Sequence, residues 1–285
     1  MTVTSPLIRY HGAKFRLAPW VIQHFPPHRC YVEPFGGAAG VLLQKERAYA
    51  EVYNDLDGDI VNLFRVLRDP ESSDRLLELL AMTPYAREEF DGAYDHHPDA
   101  VERARRTIVR AAMGFGSAGA TKGTTGFRID TRRRYGTAPQ LWAEYPSALL
   151  PVIRRLAGVM IENRPGADVI RQHDAPDTLF FVDPPYLHET RYAGARHGRY
   201  YAHEMSNDDH RALLEQLLEV QGMVVIAGYP NALYSEMLAS WSSTSTTARI
   251  SAARGTAVRT ECLWINPGCV DALNHAGLFP PEIAA

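Results

Sequence analysis

The sequence predicts an α/β chain in which a mostly parallel, doubly wound sheet carries an antiparallel edge and a mainly helical insertion. Three observations carry that reading. Short apolar runs of strand length (CYVEPF at 30–35, YAEVYND at 49–55, GVMIENR at 158–164, TLFFVD at 178–183 and GMVVIAGY at 222–229) mostly alternate with stretches of helical period. Three of these runs carry an acid at their carboxyl end, Glu33, Asp55 and Asp183, which is where open α/β sheets bind ligands. The alternation then fails between residues 70 and 157, where helical stretches (75–94, 98–113) lead into the glycine-dense GFGSAGATKGTTGF and the arginine-rich RIDTRRRY.

Each element has its own signal. The first strand runs into the turn GGAAG and an apolar helical run through Leu43. After the second strand, Ile60, Leu63, Phe64 and Leu67 share one face of a helix over 57–69. Residues 70–157 read as an inserted domain with a loop or hairpin at its tip, and 1–69 with 158–285 as the sheet-forming domain around it. Ser206 followed three residues on by Asp209 marks the start of a helix over 206–221. STTARIS and ECLWINP are β-rich and are expected to close the antiparallel edge.

Composition narrows the class. The chain has 285 residues, 46% hydrophobic and 22% charged, the balance of a globular protein rather than a disordered or fibrous one. No apolar run approaches the roughly 18 residues of a membrane span, and the N-terminus has no apolar signal core, so a cytoplasmic protein is expected. Cys30, Cys262 and Cys269 form no CxxC pair, and the histidines show no metal-ligand spacing, so no metal is expected. Charge is uneven: residues 101–160 hold eleven Arg or Lys against three acids, a window of +8 in a chain of −3, which leaves −11 for the rest. Such asymmetry suggests a basic face for a polyanion.

The strand tips suggest chemistry. EPFGGAAG lacks the GxGxxG spacing of nicotinamide enzymes, and Glu33 would repel a pyrophosphate but attract an ammonium. Asp55 reads either as an acceptor for ribose hydroxyls or as a cap of the helix that follows. In FFVDPPY, Pro184 and Pro185 end the fourth strand in a rigid turn just behind Asp183. Together these residues ask for a ligand with a cationic amino-acid end and a ribose, as in S-adenosyl-L-methionine.

Four motifs in order, IRYHGAK (8–14), YVEPFGGAAG (31–40), YNDLD (53–57) and FFVDPPY (180–186), resemble the Dam-type DNA N6-adenine methyltransferases. EMSNDDHRALL, VIAGYPNALY and ECLWINP extend the resemblance to nearly the whole chain outside the interior of 70–157. It implies a Rossmann-like methyltransferase sheet with a target-recognition insertion. It also implies that S-adenosyl-L-methionine is held by Tyr10, Lys14, Glu33, Pro34, Phe35, Gly36, Gly37, Asp55 and Asp183, with Asp168 on the adenine amine. This chain has Tyr10 where many relatives have Trp, and Val169 where they often have an aromatic. Asp183, Pro184, Pro185 and Tyr186 would be the catalytic motif. The Asp183 carboxylate and the Pro184 carbonyl would accept the two N6 hydrogens of an extruded adenine, while Tyr186 stacks on the base.

Double-stranded DNA is thus the expected partner. Lys122, Arg128, Arg132 and Arg133 flank the glycine-dense loop and are expected to read bases. Arg105 and Arg106 on a helix are expected to hold phosphates, and Arg191 in RYAGARHGRYY to meet DNA from a loop after the catalytic turn. Two other readings stay open: methylation of cytosine N4 or an RNA adenine, and a non-catalytic DNA-binding module on a methyltransferase fold. The sequence leaves open a homodimer and a companion restriction endonuclease, and implies neither.

Overall fold

The computed structural model describes residues 3–116, 119–120, 123–129, 136–191, 201–252 and 255–278. In chain order the elements begin with α1 (Ala18–Ile22), β1 (Cys30–Glu33), β2 (Ala50–Asn54), α2 (Gly58–Arg68), α3 (Pro70–Met82) and α4 (Arg87–Gly92). Next come α5 (Ala100–Met113), α6 (Ala138–Ala143), α7 (Tyr145–Leu156), β3 (Met160–Glu162), α8 (Gly166–His173) and β4 (Thr178–Val182). The chain closes with α9 (Asn207–Glu219), β5 (Met223–Gly228), α10 (Ala232–Met237), β6 (Ser242–Ala252), β7 (Gly255–Ile265) and α11 (Pro267–Leu278).

The strands form one sheet in the order β3-β2-β1-β4-β5-β7-β6. The five strands from β3 to β5 are parallel, whereas β7 runs antiparallel to both β5 and β6. The chain winds outward from β1 through β2 to β3, then returns to lay β4 on the other side of β1. That reversal places the switch point between β1 and β4, where the carboxyl ends of neighbouring strands diverge and leave a crevice.

Alternation along the strands divides the core in two. Tyr31, Tyr53, Leu179, Phe181 and Val225 face one side, with the buried residues of α2, α3, α5 and α7. Val32, Val52, Phe180, Val182 and Val224 face the other, against Val169 and Ile170 of α8 and Leu213, Leu214 and Leu217 of α9. Burial on both faces is why TLFFV and MVVIAG read as unbroken apolar runs. The helices of 70–157 share the first of these cores: α5 packs on α2, and α3 on both. Among the described residues no helix is long and apolar enough to cross a membrane.

Local chemistry sets the ends of the helices. Asp57 caps α2, accepting bonds from the amides of Asp59 and Ile60. Asp69 ends α2 and caps α3, with Pro70 in the first turn of α3. Ser206 and Asp209 form the reciprocal capping box at the start of α9, as their spacing predicts. The helix expected over 75–94 is in fact two, because Thr83 precedes Pro84 and is driven to extended backbone at ψ 116°.

The helix expected after GGAAG does not form. Gly37 (φ 49°) and Ala39 (φ 52°) both lie in the left-handed region, so residues 34–45 fold as consecutive turns. The basic count of 101–160 also changes meaning. Arg103 and Arg110 pair with Asp59 on α2, Arg105 with Glu102 and Glu89, Arg106 with Glu102, and Arg155 with Glu51. These guanidiniums join elements inside the chain. The phosphate-holding part expected of Arg105 and Arg106 therefore gives way to a structural one.

Candidate active site

The end of β1 turns Glu33 into the interior, where it is 2% exposed. Its Oε1 accepts the Tyr31 hydroxyl at 2.7 Å and the Leu42 amide at 2.7 Å. Burial outweighs those two bonds and, with the nearby Asp183, pushes the Glu33 carboxyl up to about 7.

The turn after Glu33 is held by the tip of β2. The Asn54 side chain donates to the Pro34 carbonyl at 2.8 Å, and the Tyr53 hydroxyl donates to the Gly37 carbonyl at 2.6 Å. A Cβ on Gly36 would lie 2.3 Å from the Tyr53 ring, and one on Gly37 would lie 2.8 Å from the Tyr10 ring. These two glycines therefore admit aromatic rings of the chain itself, whatever ligand approaches from outside. Phe35 rests on α8, where a Cβ on Gly166 would meet its ring at 2.8 Å.

Asp55 ties the two tips together. Its Oδ2 accepts the Gly37 amide and its Oδ1 the Asp57 amide, each at 2.8 Å. The helix cap is Asp57, not Asp55. Each Asp55 oxygen keeps acceptor capacity beyond its amide, and burial raises the Asp55 carboxyl above its ordinary range.

The catalytic-type motif follows β4. The Lys14 Nζ lies 3.0 Å from both oxygens of Asp183 and donates to Oδ2, while Oδ1 is buried without a hydrogen-bond partner. Burial raises the Asp183 carboxyl to about 6 despite the lysine, whose attraction works in the opposite direction. The same Nζ sits 4.7 Å from the centroid of the Tyr186 ring. Tyr186 donates its hydroxyl to Glu261 at 2.7 Å and meets the edge of Tyr229 with ring centroids 4.5 Å apart.

Between these tips opens a cleft with about 840 Å³ of empty space, its open mouth included. It brings together Tyr10, Lys14, Glu33, Phe35, Gly36, Gly37, Asp55, Asp183 and Pro185. Tyr201 to Met205 also line it, with Tyr201 against His11. Pro34, Pro184, Tyr186 and Asp168 stand outside this lining, and the half-exposed Asp168 carboxylate pairs with Arg171 at 2.8 Å.

The residues expected on DNA sit differently. Lys122, Arg132 and Arg133 lie outside the described residues. Arg128 is 5% exposed, its amide bonded to the Met113 carbonyl and its carbonyl to the Tyr85 hydroxyl. Arg191 is 7% exposed, with its guanidinium against the Tyr186 carbonyl and the Glu204 carboxylate. A loop arginine waiting for phosphate is not what these contacts describe.

Sequence reasoning missed Glu261, Glu204 and Tyr31. For Glu261 a signal existed: it shares strand parity with Leu263 and Ile265, so an acid stood in the inward register. Glu204 gave none, because its partner lies across a loop.

A switch-point cleft walled by three strand-tip acids, with a buried acid–lysine pair in it, marks a doubly wound α/β protein. The family model of the D12 class N6 adenine-specific DNA methyltransferases matches residues 10–249, and the chain belongs to that class. A DNA adenine methylase from Serratia marcescens is 28% identical over 68 residues, which are 24% of this chain and 25% of that protein. The chain thus aligns with about a quarter of that relative's length. A solved precorrin 8W decarboxylase from Methanobacterium thermoautotrophicum covers 88% of each chain at 10% identity, with a TM-score of 0.31 too low to bear on fold or function.

Proposed function

We propose that the chain transfers a methyl group from S-adenosyl-L-methionine to N6 of adenine in double-stranded DNA. The observation that carries this reading is Asp183. Its carboxylate opens a motif of the DPPY type at the end of β4, lies with both oxygens 3.0 Å from the Lys14 ammonium, and lines the acid-walled cleft.

The cleft suits this cofactor chemically. Burial and the charge of Asp183 raise Glu33, and burial and the charge of Glu261 raise Asp183, so a cationic amino-acid end beside them would relieve both. Asp55, at the next strand tip, supplies acceptors for ribose hydroxyls, and Tyr10, Phe35 and the Gly36–Gly37 turn form the wall between. When bound, S-adenosyl-L-methionine supplies an electrophilic methyl group.

The protein's part is to make a poor nucleophile adequate. The N6 lone pair of adenine is delocalised into the ring. Asp183 and the Pro184 carbonyl, fixed by the Pro184–Pro185 turn, accept the two N6 hydrogens and favour a tetrahedral nitrogen. Reaching that geometry requires the base to leave the helix, and Tyr186 offers it a ring to stack on. Recognition of the surrounding sequence falls to 70–157, with Lys122, Arg132 and Arg133 as its candidate readers. The reaction belongs in the compartment that holds DNA, a cytoplasmic setting consistent with the unpaired Cys30, Cys262 and Cys269.

The test is to incubate duplex DNA with isotopically labelled S-adenosyl-L-methionine, digest it to nucleosides and identify the labelled one by mass spectrometry. N6-methyladenine is expected, together with a loss of more than about 100-fold in Asp183→Ala. Label on cytosine N4, or in RNA alone, would refute the target. Retention of activity within about tenfold in Asp183→Ala would refute the mechanism.

A further inference from the structure

We infer that Arg191 and Glu204 are positioning residues that hold the backbone of the catalytic motif in place, an inference that rests on the methyltransferase reading. The guanidinium of Arg191 donates Nε–H to the Tyr186 carbonyl at 3.0 Å and Nη2–H to the same oxygen at 2.6 Å. It also forms a two-pronged pair with Glu204: Nη1 lies 3.0 Å from Oε1, and Nη2 bonds Oε2. The side chains are 5% and 20% exposed, so water competes little for either group.

Glu204 is itself anchored. Its Oε1 also accepts the Tyr201 amide at 3.1 Å, and both residues line the cofactor cleft. Arg191 lies over the Tyr201 ring, 5.6 Å from its centroid. The Arg191–Glu204 pair therefore joins the segment that leaves the catalytic motif to the segment that walls the cleft.

Tyr186 is held at two ends. Its ring is gripped at the far end by Glu261, through the hydroxyl. Its carbonyl is the other end, one peptide unit from Pro185, and a carbonyl receiving two guanidinium N–H groups cannot swing without losing both. Pro184 and Pro185 fix φ at their own positions but not at Tyr186. Arg191 thus supplies the restraint that the two prolines do not. The fork matters as much as the charge: a planar guanidinium reaches a carbonyl and a carboxylate together, which an ammonium cannot.

The test compares Arg191→Ala, Arg191→Lys, Glu204→Gln and the double variant Arg191→Ala/Glu204→Gln with wild type, in single-turnover methylation and in DNA binding at several salt concentrations. If wild type labels no adenine, the methyltransferase reading itself has failed, and that failure is seen before any variant is compared. Given an active wild type, each single variant should slow methyl transfer roughly 10- to 100-fold, as small misplacements do. Arg191→Lys should not rescue, and the double variant should be no slower than the worse single one. The slope of log affinity against log salt should stay unchanged, because no phosphate contact is removed. A wild-type rate in Arg191→Lys, or a salt slope lower by about one in Arg191→Ala, would overturn the inference and return Arg191 to DNA. Should Arg191→Ala fail to fold, the near-isosteric Glu204→Gln decides alone: slowed transfer at an unchanged salt slope supports the brace, and a wild-type rate overturns it.

Discussion

Lowering the pH from about 8 to about 6 should weaken cofactor binding about tenfold, and the size follows from Glu33. In the free protein its carboxyl is held up to about 7, chiefly by burial, with Asp183 adding repulsion and Tyr31, the Leu42 amide and Lys45 pulling the other way. A cationic amino-acid end beside it needs the ionised form. Apparent affinity therefore follows the ionised fraction, about nine-tenths at pH 8 and about a tenth at pH 6. The corresponding change is about 1.4 kcal/mol. The sign is fixed by linkage: binding releases the proton, so affinity rises with pH through about 7 and levels off above it.

Titration calorimetry with a non-reactive cofactor analogue, in two buffers of different ionisation enthalpy, reads this directly. Near pH 7 about half a proton should be released per ligand bound. In Glu33→Gln the release should vanish, and the affinity at pH 8 should drop by about 1–3 kcal/mol, the worth of a charge-assisted pair. In Asp183→Asn the midpoint should move down, because a charge that raises Glu33 is gone. An affinity flat from about pH 6 to about pH 8, with no proton released, would show that Glu33 does not meet the cation.

Four further outcomes can be checked. Asp55→Ala should weaken cofactor binding by about 1–3 kcal/mol, measured by calorimetry, since it removes ligand acceptors and the Gly37 anchor together; unchanged affinity would leave Asp55 a purely structural tie. Lys14→Met removes the attraction that lowers Asp183, so the acid limb of the rate–pH profile should move above about 6, and a limb that stays in place would mean that Asp183 ionisation does not limit the rate. Gly36→Ala should cost about 1–3 kcal/mol of stability by denaturant melting, because Tyr53 is fully buried and stacked on Phe64 and cannot yield; an unshifted melt would refute that packing argument. Arg106→Ala should leave the salt slope of DNA binding unchanged, since its guanidinium is engaged by Glu102 and by the carbonyls of Gly92 and Asp95; a slope lower by about one would place it on phosphate after all.

Much of the sheet was legible because its signals are local. An apolar run bounded by turn residues is a strand wherever it ends up, and an acid at its end reaches the switch-point face by connectivity alone. The capping box at Ser206 and Asp209 is written in four residues. What could not be read depends on partners far apart in sequence. Lys14 meets Asp183 across 169 positions, and Glu261 meets Tyr186 across 75. The glycine turn misled for a similar reason. Gly36 and Gly37 look like room for a ligand, but the rings of Tyr53 and Tyr10 occupy the space where their side chains would be.

Charge counting failed most instructively. A window of +8 invites a polyanion, yet Arg103, Arg105, Arg106, Arg110 and Arg155 are answered by Glu51, Asp59, Glu89 and Glu102. Three of those four acids lie outside the window, so a count confined to it could not see them. A basic stretch of helix packed on an acidic neighbour gives the same local sum as one turned to a duplex. What separates them is whether the compensating carboxylates sit within about 4 Å, and only the fold supplies that. With those five arginines engaged and Arg128 buried, the recognition hypothesis rests on Lys122, Arg132 and Arg133, which lie outside the described residues. Those positions border the glycine-dense loop, where the sequence placed the reading of bases, so the correction narrows the recognition hypothesis without moving it.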